Sequence, residues 1–291
     1  MVQIDLAKDS VREANEKIRE LGKKGEDIDI INPDARHHIG VGLTEPITVK
    51  VHGSAGYFCA GLTDKANFDI EANVGWGVGD NMYTGSVIVR GNAGAIPGVA
   101  IRGAEIIIHG NMGSRAGQVM NEGTLCCLGN ANFMAGYMMY GGRIIILGDS
   151  GERVGEDMST GEIYVAGNVT SLGSDAKQTD LGTEDDHDVR EFLDRYKIPF
   201  TGTLKKVVNA GTKLRYAKSE EQVRSIPFFT FSGNSDYWNP KIQEDIHIKS
   251  QIGRYRVRGY GGARPLPHFN DIAFRKDLSR AGDDPDVISK V

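Results

Sequence analysis

Apolar residues return to two fixed positions in every nineteen-residue block from residue 49 to residue 165. Val49, Phe68, Val87, Ile106, Leu125, Ile144 and Ile163 form one column. Val51, Ile70, Val89, Ile108, Cys127, Ile146 and Val165 form a second, two residues later. A spacing of two places both columns on one face of an extended strand, so the pattern predicts seven strands with inward side chains stacked like on like. Two residues further on stands a marker glycine, Gly53, Gly91, Gly110, Gly129, Gly148 and Gly167, with Ala72 in the one tier that lacks it. Small polar residues follow each marker: Ser54, Asn73, Asn92, Asn111, Asn130, Asp149 and Asn168. They suit a turn. A repeat held without insertion or deletion means a stacked solenoid. The predicted fold class is all-β, a parallel β-helix of seven 19-residue coils with the marker glycines as structural turn residues.

The remaining columns fill in the coil. Met82, Ile101, Met120, Met139 and Met158 stand ten residues after the marker position, with Thr63 in the first tier. They predict a second strand per coil and read as flexible core filler. Gly79, Gly98, Gly117, Gly136 and Gly155 predict a corner that needs positive φ. The position before each marker runs His52, Glu71, Arg90, His109, Leu128, Leu147, Ala166, polar early and apolar late. This outward face should be solvated at one end and covered at the other.

A solenoid exposes strand edges at both ends and needs covers there. Upstream, Ser10-Val-Arg-Glu13 is a capping box for a helix with Val11, Ala14, Ile18 and Leu21 on its apolar stripe, ended by Gly22 or Gly25. Ile28, Ile30 and Ile31 then alternate into a strand. Downstream, Glu184-Asp-Asp186 opens a second helix with Val189, Phe192, Leu193 and Tyr196 on its apolar side. The expected organisation is a cap over residues 1–29, the β-helix over 30–180, a helix and linker over 181–224, and an extended tail over 225–291.

The tail is a different kind of sequence. Phe228, Phe229, Phe231, Tyr237, Trp238, Tyr255, Tyr260, Phe269 and Phe274 gather there, together with Lys241, Lys249, Arg254, Arg256, Arg258 and Arg264. Isolated aromatics and arginines in an irregular segment are interface anchors, either for a partner or for the flank of the chain's own solenoid.

Composition narrows the function. Glycine is 38 of 291 residues while hydrophobic residues are an ordinary 40%, which fits tight β turns rather than disorder. A net charge of −5 argues against a surface that tracks nucleic-acid phosphates. Cys59, Cys126 and Cys127 make neither a disulfide framework nor a C-x-x-C metal cradle, which predicts a reducing cytoplasm. No apolar run is long enough to span a membrane. Gly91-Asn-Ala-Gly94 and Gly110-Asn-Met-Gly113 lead into no P-loop lysine, and neither a G-x-S-x-G elbow nor an H-E-x-x-H helix is present. The His37-His38 pair would point its rings apart, and His52, Glu71 and Arg90 read as a salt-bridged ladder rather than an acid–base set. No catalytic, cofactor-binding or metal-binding residue is therefore assigned to this chain.

The strand–Gly–Asn pattern, the nineteen-residue coil and the segment Ile30-Ile-Asn32, Arg36 and Ile39-Gly40 resemble the GXGXG domain of glutamate synthase, a right-handed β-helix. A free-standing copy is similar to the GXGXG subunit of three-part glutamate-synthase-like enzymes, notably N-methylglutamate synthase (methylamine–glutamate N-methyltransferase). The resemblance implies a scaffold subunit, with FMN and an iron–sulfur cluster on one partner and a glutamine-amidotransferase-like protein as the other. Arg256-Val-Arg-Gly-Tyr260 and Pro265-Leu-Pro-His-Phe269 resemble a segment near the start of the FMN-binding partner. Trp238, Arg256, Arg258, Tyr260, Arg264, His268 and Phe269 are accordingly the expected partner-binding residues. Two alternatives remain: the related β-helix subunit of a molybdenum or tungsten formylmethanofuran dehydrogenase, and a free-standing carbohydrate-active β-helix enzyme. The latter would need a row of charged residues on one outward face, and the outward column turns apolar in its last tiers.

Overall fold

The computed structural model describes residues 1–211. Seven strands stack in parallel at the predicted places: β3 (Thr48–Val51), β4 (Asn67–Ile70), β5 (Ser86–Val89), β6 (Arg102–Ile108), β7 (Glu122–Cys127), β8 (Arg143–Ile146) and β9 (Glu162–Val165). Their register is the sequence period itself, Val49 opposite Phe68, then Val87, Ile106, Leu125, Ile144 and Ile163. Both predicted inward columns are buried and continuous in one core. The β-solenoid forms because each rung alone cannot bury its apolar face, whereas a neighbour above and below completes it.

The methionine column is buried as expected, with Met82, Ile101, Met120, Met139 and Met158 all fully inside. It does not form a second strand. The chain there passes through left-handed residues at alternate positions, as in Ile96, Gly98 and Ala100 at φ +52°, +66° and +56°, which no ladder accommodates. The second inter-coil ladder lies two residues after the marker instead, as single bridges joining Ala55, Val74, Ala93, Met112, Ala131, Ser150 and Val169. At the corner, Gly117 leaves the space that the Ile144 side chain enters, since a Cβ there would lie 2.6 Å from Ile144 Cδ1.

Positive φ recurs at the predicted corner column, Gly79, Gly98, Gly117, Gly136 and Gly155, whereas the marker glycines serve the turn by leaving room. Among them only Gly53 has positive φ. A Cβ at Gly110 would lie 2.4 Å from Asn92 Oδ1 and 2.8 Å from the Gly91 carbonyl oxygen. Gly91, Gly129, Gly148 and Gly167 are crowded in the same way by Asn73, Asn111, Asn130 and Asp149. Those side chains accept the backbone N–H of the equivalent residue one coil on: Asn92 to Asn73, Asn111 to Asn92, Asn130 to Asn111 and Asp149 to Asn130, each at 2.8 Å, and Asn168 to Asp149 at 2.7 Å. The glycine is bare so that the amide from the preceding coil can lie over it. Ala72 marks the one tier that follows Ser54, whose side chain is shorter than asparagine.

Both ends are closed. Helix α1 (Val11–Gly22) starts at the predicted capping box: Glu13 N–H donates to Ser10 Oγ, and Ser10 N–H donates to the Glu13 carboxylate. Ala14 and Ile18 pack into the core with Leu43 and Ile47. Two strands flank the helix, β2 (Ile28–Ile31), as predicted, and β1 (Val2–Asp5), which was not. β1 pairs with β2, and β2 with β3, all in parallel. At the far end are two unpredicted strands, β10 (Ala176–Thr179) and β11 (Lys205–Asn209): β11 runs antiparallel to β9 and lies between it and β10, which is antiparallel to β11. An antiparallel turn-back stops the parallel stacking without leaving β9 as an edge. Between them lies α2 (Thr183–Arg195), the predicted acid-started helix. No helix among the described residues is long and apolar enough to cross a membrane.

Candidate functional site

The outer face of the sheet is where the sequence places its charged residues, and the structure divides that face in two. Over the later tiers α2 lies across Ile107, Cys126, Ile145 and Tyr164, burying Val189, Phe192 and Leu193 against them with Ile198 and Leu204. This is the cover that the apolar end of the outward column requires. The helix is fastened at each end. Tyr196 hydroxyl and Arg195 Nη2 both reach Glu105, the latter at 2.7 Å. Lys206 Nζ lies 2.7 Å from Asp185 and 2.6 Å from Glu162, and the Tyr164 hydroxyl donates to Glu162 at 2.6 Å. The Lys206 hydrogen bond holds the Asp185 carboxyl below its usual range, and burial pushes the Tyr164 phenol up.

Over the earlier tiers the face carries ion pairs. His52 Nδ1 lies 2.8 Å from Glu71 and its Nε2 lies 2.8 Å from Asp29, so one imidazole spans β2, β3 and β4. The hydrogen bond to Asp29, reinforced by Glu71, raises the His52 pKa against the opposing effect of burial. Arg90 was expected to share Glu71. It instead makes a two-pronged bridge to Asp69 at 2.9 and 3.0 Å. A guanidinium fork matches a carboxylate edge, and Glu71 is already engaged by His52. His109, further up the same column, has its pKa lowered by desolvation and then by Arg90. Both partners missed by sequence reasoning, Asp29 and Asp69, sit off the nineteen-residue diagonal. Asp29 faces Lys50 across a step of 21 residues, which the repeat conceals.

The rings of His37 and His38 lie edge to face, with centroids 6.3 Å apart. His37 Nδ1 accepts the Tyr57 N–H at 2.9 Å, and its ring stacks on Tyr57, which stacks in turn on Trp76 at 5.3 Å. Tyr57 and Trp76 keep 41% and 54% of their surface exposed. Glycine makes room for the rings: a Cβ at Gly75 would lie 2.4 Å from Tyr57 Cδ1, and one at Gly94 would lie 2.6 Å from Trp76 Cδ1. This aromatic column, one coil apart in sequence, was legible but not read.

The three cysteines are free and buried. Desolvation pushes Cys59 and Cys127 up to about 12 and raises Cys126 as well, so none is a ready thiolate. Cys127 packs in the inward column as a small apolar residue, and Cys126 lies under α2. Among the described residues one trio, His187, Asp188 and Glu191, brings possible metal-ligand atoms within 4.8 Å of one another, all on an exposed turn of α2. Trp238, Arg256, Arg258, Tyr260, Arg264, His268 and Phe269 lie outside the described residues, as does the whole 225–291 tail.

The described chemistry is that of a β-solenoid whose polar residues bind each other across coils and whose own helix closes half of one face. Residues 30–196 match the family model described as the GXGXG motif. The chain belongs to that family, and its β-helix is of the glutamate-synthase type. A stretch of 91 residues is 35% identical to Protein GlxC of Rhizobium meliloti (strain 1021), covering 31% of this chain and 40% of GlxC. The chain thus spans well under half the length of that curated relative.

Proposed function

We propose that this chain is the scaffold subunit of a multi-subunit glutamate-synthase-type enzyme. The finer reading is N-methylglutamate synthase, with the column holding a glutamine-amidotransferase-like subunit against a subunit that carries FMN and an iron–sulfur cluster. On this reading the chain carries no catalytic residue or cofactor, and works in the cytoplasm. The observation that carries it is the uninterrupted column of seven coils within a GXGXG family match. Side chains in register make such a column stiff, because each coil is hydrogen-bonded along both its strand and its asparagine turn. His52 is committed through both ring nitrogens, Arg90 through its fork, and the cysteines are buried. Those groups serve cohesion. The tail residues Trp238, Arg256, Arg258, Tyr260, Arg264, His268 and Phe269 are proposed as partner anchors.

The test is affinity purification of the full chain from its native cells, with mass spectrometry and a visible spectrum of the product. Co-purification of a flavin–iron–sulfur protein and an amidotransferase-like protein, with methylamine-dependent N-methylglutamate formation, supports the reading. Ammonia-dependent glutamate formation by the same assembly would keep the scaffold role and replace the finer one. A pterin in place of flavin would assign the chain to the formylmethanofuran dehydrogenase type. Turnover of a carbohydrate by the isolated chain would overturn the scaffold role.

A further inference from the structure

The N-terminal cap meets the first coils through apolar strands and through one titratable side chain. His52 sits just past the end of β3, with Asp29 of β2 on one side and Glu71 beyond the end of β4 on the other, each carboxylate oxygen 2.8 Å from a different ring nitrogen. A neutral imidazole has one N–H and one lone pair. Whichever tautomer it took, a lone pair would face a carboxylate oxygen at hydrogen-bond distance. Only the doubly protonated ring satisfies both contacts, and the two carboxylates leave the group with a net negative charge that retains the proton.

We propose that His52 is a protonation-dependent latch: as an imidazolium it ties the β1–α1–β2 cap to the first two coils, and loss of its proton loosens that junction. The charged neighbours on each packed element are consistent with this. Asp69 of β4 is paired with Arg90, just past the end of β5, so neither competes for His52. Asp5, the last residue of β1, is engaged by Asn32 and Lys8. On β3 itself Lys50 shares the outer face two residues away. Asp34 and Arg36 line the same shallow depression as His52, Asn32, Gly53 and Ser54, and Arg36 donates to the Asp9 carbonyl oxygen at 3.2 Å. The junction does not rest on the latch alone. Ile28 and Ile30 stay buried against Val49 and Val51, so the response is local opening of β2 from β3 rather than loss of the cap.

The sign follows from linkage. The folded state raises the His52 pKa, so the stabilisation is full below the unfolded value of about 6.5 and is lost as pH rises through the folded value. Loss of the proton therefore raises the opening equilibrium, by the ratio of the proton affinities of the folded and open states.

Histidine-labelled full-length protein is titrated by NMR between pH 5 and 10. The latch requires both His52 nitrogens to be protonated at neutral pH and a midpoint above the unfolded value of about 6.5. Hydrogen exchange over residues 28–51, corrected for intrinsic rates, should show opening that rises severalfold from pH 6 to pH 9 in the wild type. His52→Gln should remove that rise, with opening already at the high-pH level. Should His52→Gln fail to fold, Asp29→Asn replaces it, and the NMR titration stands without any variant. A His52 midpoint at or below the unfolded value of about 6.5, or the same pH dependence of exchange in wild type and variant, would overturn the proposal.

Discussion

Asn92 Oδ1 accepts the backbone N–H of Asn111 at 2.8 Å, directly above the place where a side chain on Gly110 would have to go. The turn of each coil is therefore a shared structure, built from the asparagine of one tier and the missing side chain of the next. Gly110→Ala pushes a methyl into that amide and should destabilise the protein by about 1–3 kcal/mol, the range of an overpacked site. Asn92→Ser shortens the amide to the arrangement that Ser54 and Ala72 adopt naturally. The double variant should then cost less than the two single changes together, read from urea denaturation midpoints. Strict additivity would mean that the amide and the bare glycine are not a unit.

Phe192 anchors α2 on the late tiers, buried against Ile107, Cys126 and Ile145. Phe192→Ala should cost about 3–5 kcal/mol if the helix stays docked, and less if it detaches. Detachment has its own signal: Cys126, inert in the wild type, should become reactive toward a thiol reagent at neutral pH. A destabilised variant with Cys126 still protected would show that the strand segment after α2 covers this face alone.

Lys206 holds Asp185 and Glu162 together beside the Tyr164 ring. The folded Asp185 pKa is depressed, chiefly by the Lys206 hydrogen bond, so its contribution is present above the unfolded value and is lost as pH falls through the folded one. Lys206→Met should lower stability at pH 7 by about 1–3 kcal/mol, the cost of leaving a charged partner unmatched. At pH 3 the loss should be markedly smaller. Equal losses at both pH values would assign the effect to packing of the lysine stem.

The half-exposed ladder from His37 through Tyr57 to Trp76 offers an optical probe. In a Trp238→Phe background, Tyr57→Ala should shift Trp76 emission to longer wavelength and cost about 0.5–1.5 kcal/mol, the worth of an aromatic pair. An unchanged spectrum would mean that the indole is held by its own coil.

What could be read directly was whatever repeats at one fixed step. Columns such as Val49–Phe68–Val87 and the burial of the methionines follow from stacking identical coils, and the capping box at Ser10 and Glu13 is local to one turn. The function of the glycine in the turn was hidden, because a bare position looks the same whether the backbone needs positive φ or a neighbouring tier needs the room. Arg90 was assigned the wrong acid for a related reason. A guanidinium reaches diagonally to Asp69, 21 residues back, and sequence spacing alone does not rank that reach against a straight one.

The amino-acid sequence by itself determined the column, its period, its inward face and the existence of covers, since burial of periodic apolar residues leaves no other arrangement. Only the tertiary structure decided how the ends are closed, by β1 on one side and by the reversed β11 with β10 beyond it on the other, and which charges meet across the outer face. Strand edges and side-chain tips find their partners by distance in space, and residues far apart in the chain, such as Glu105 and Arg195, come together only after the coils have stacked.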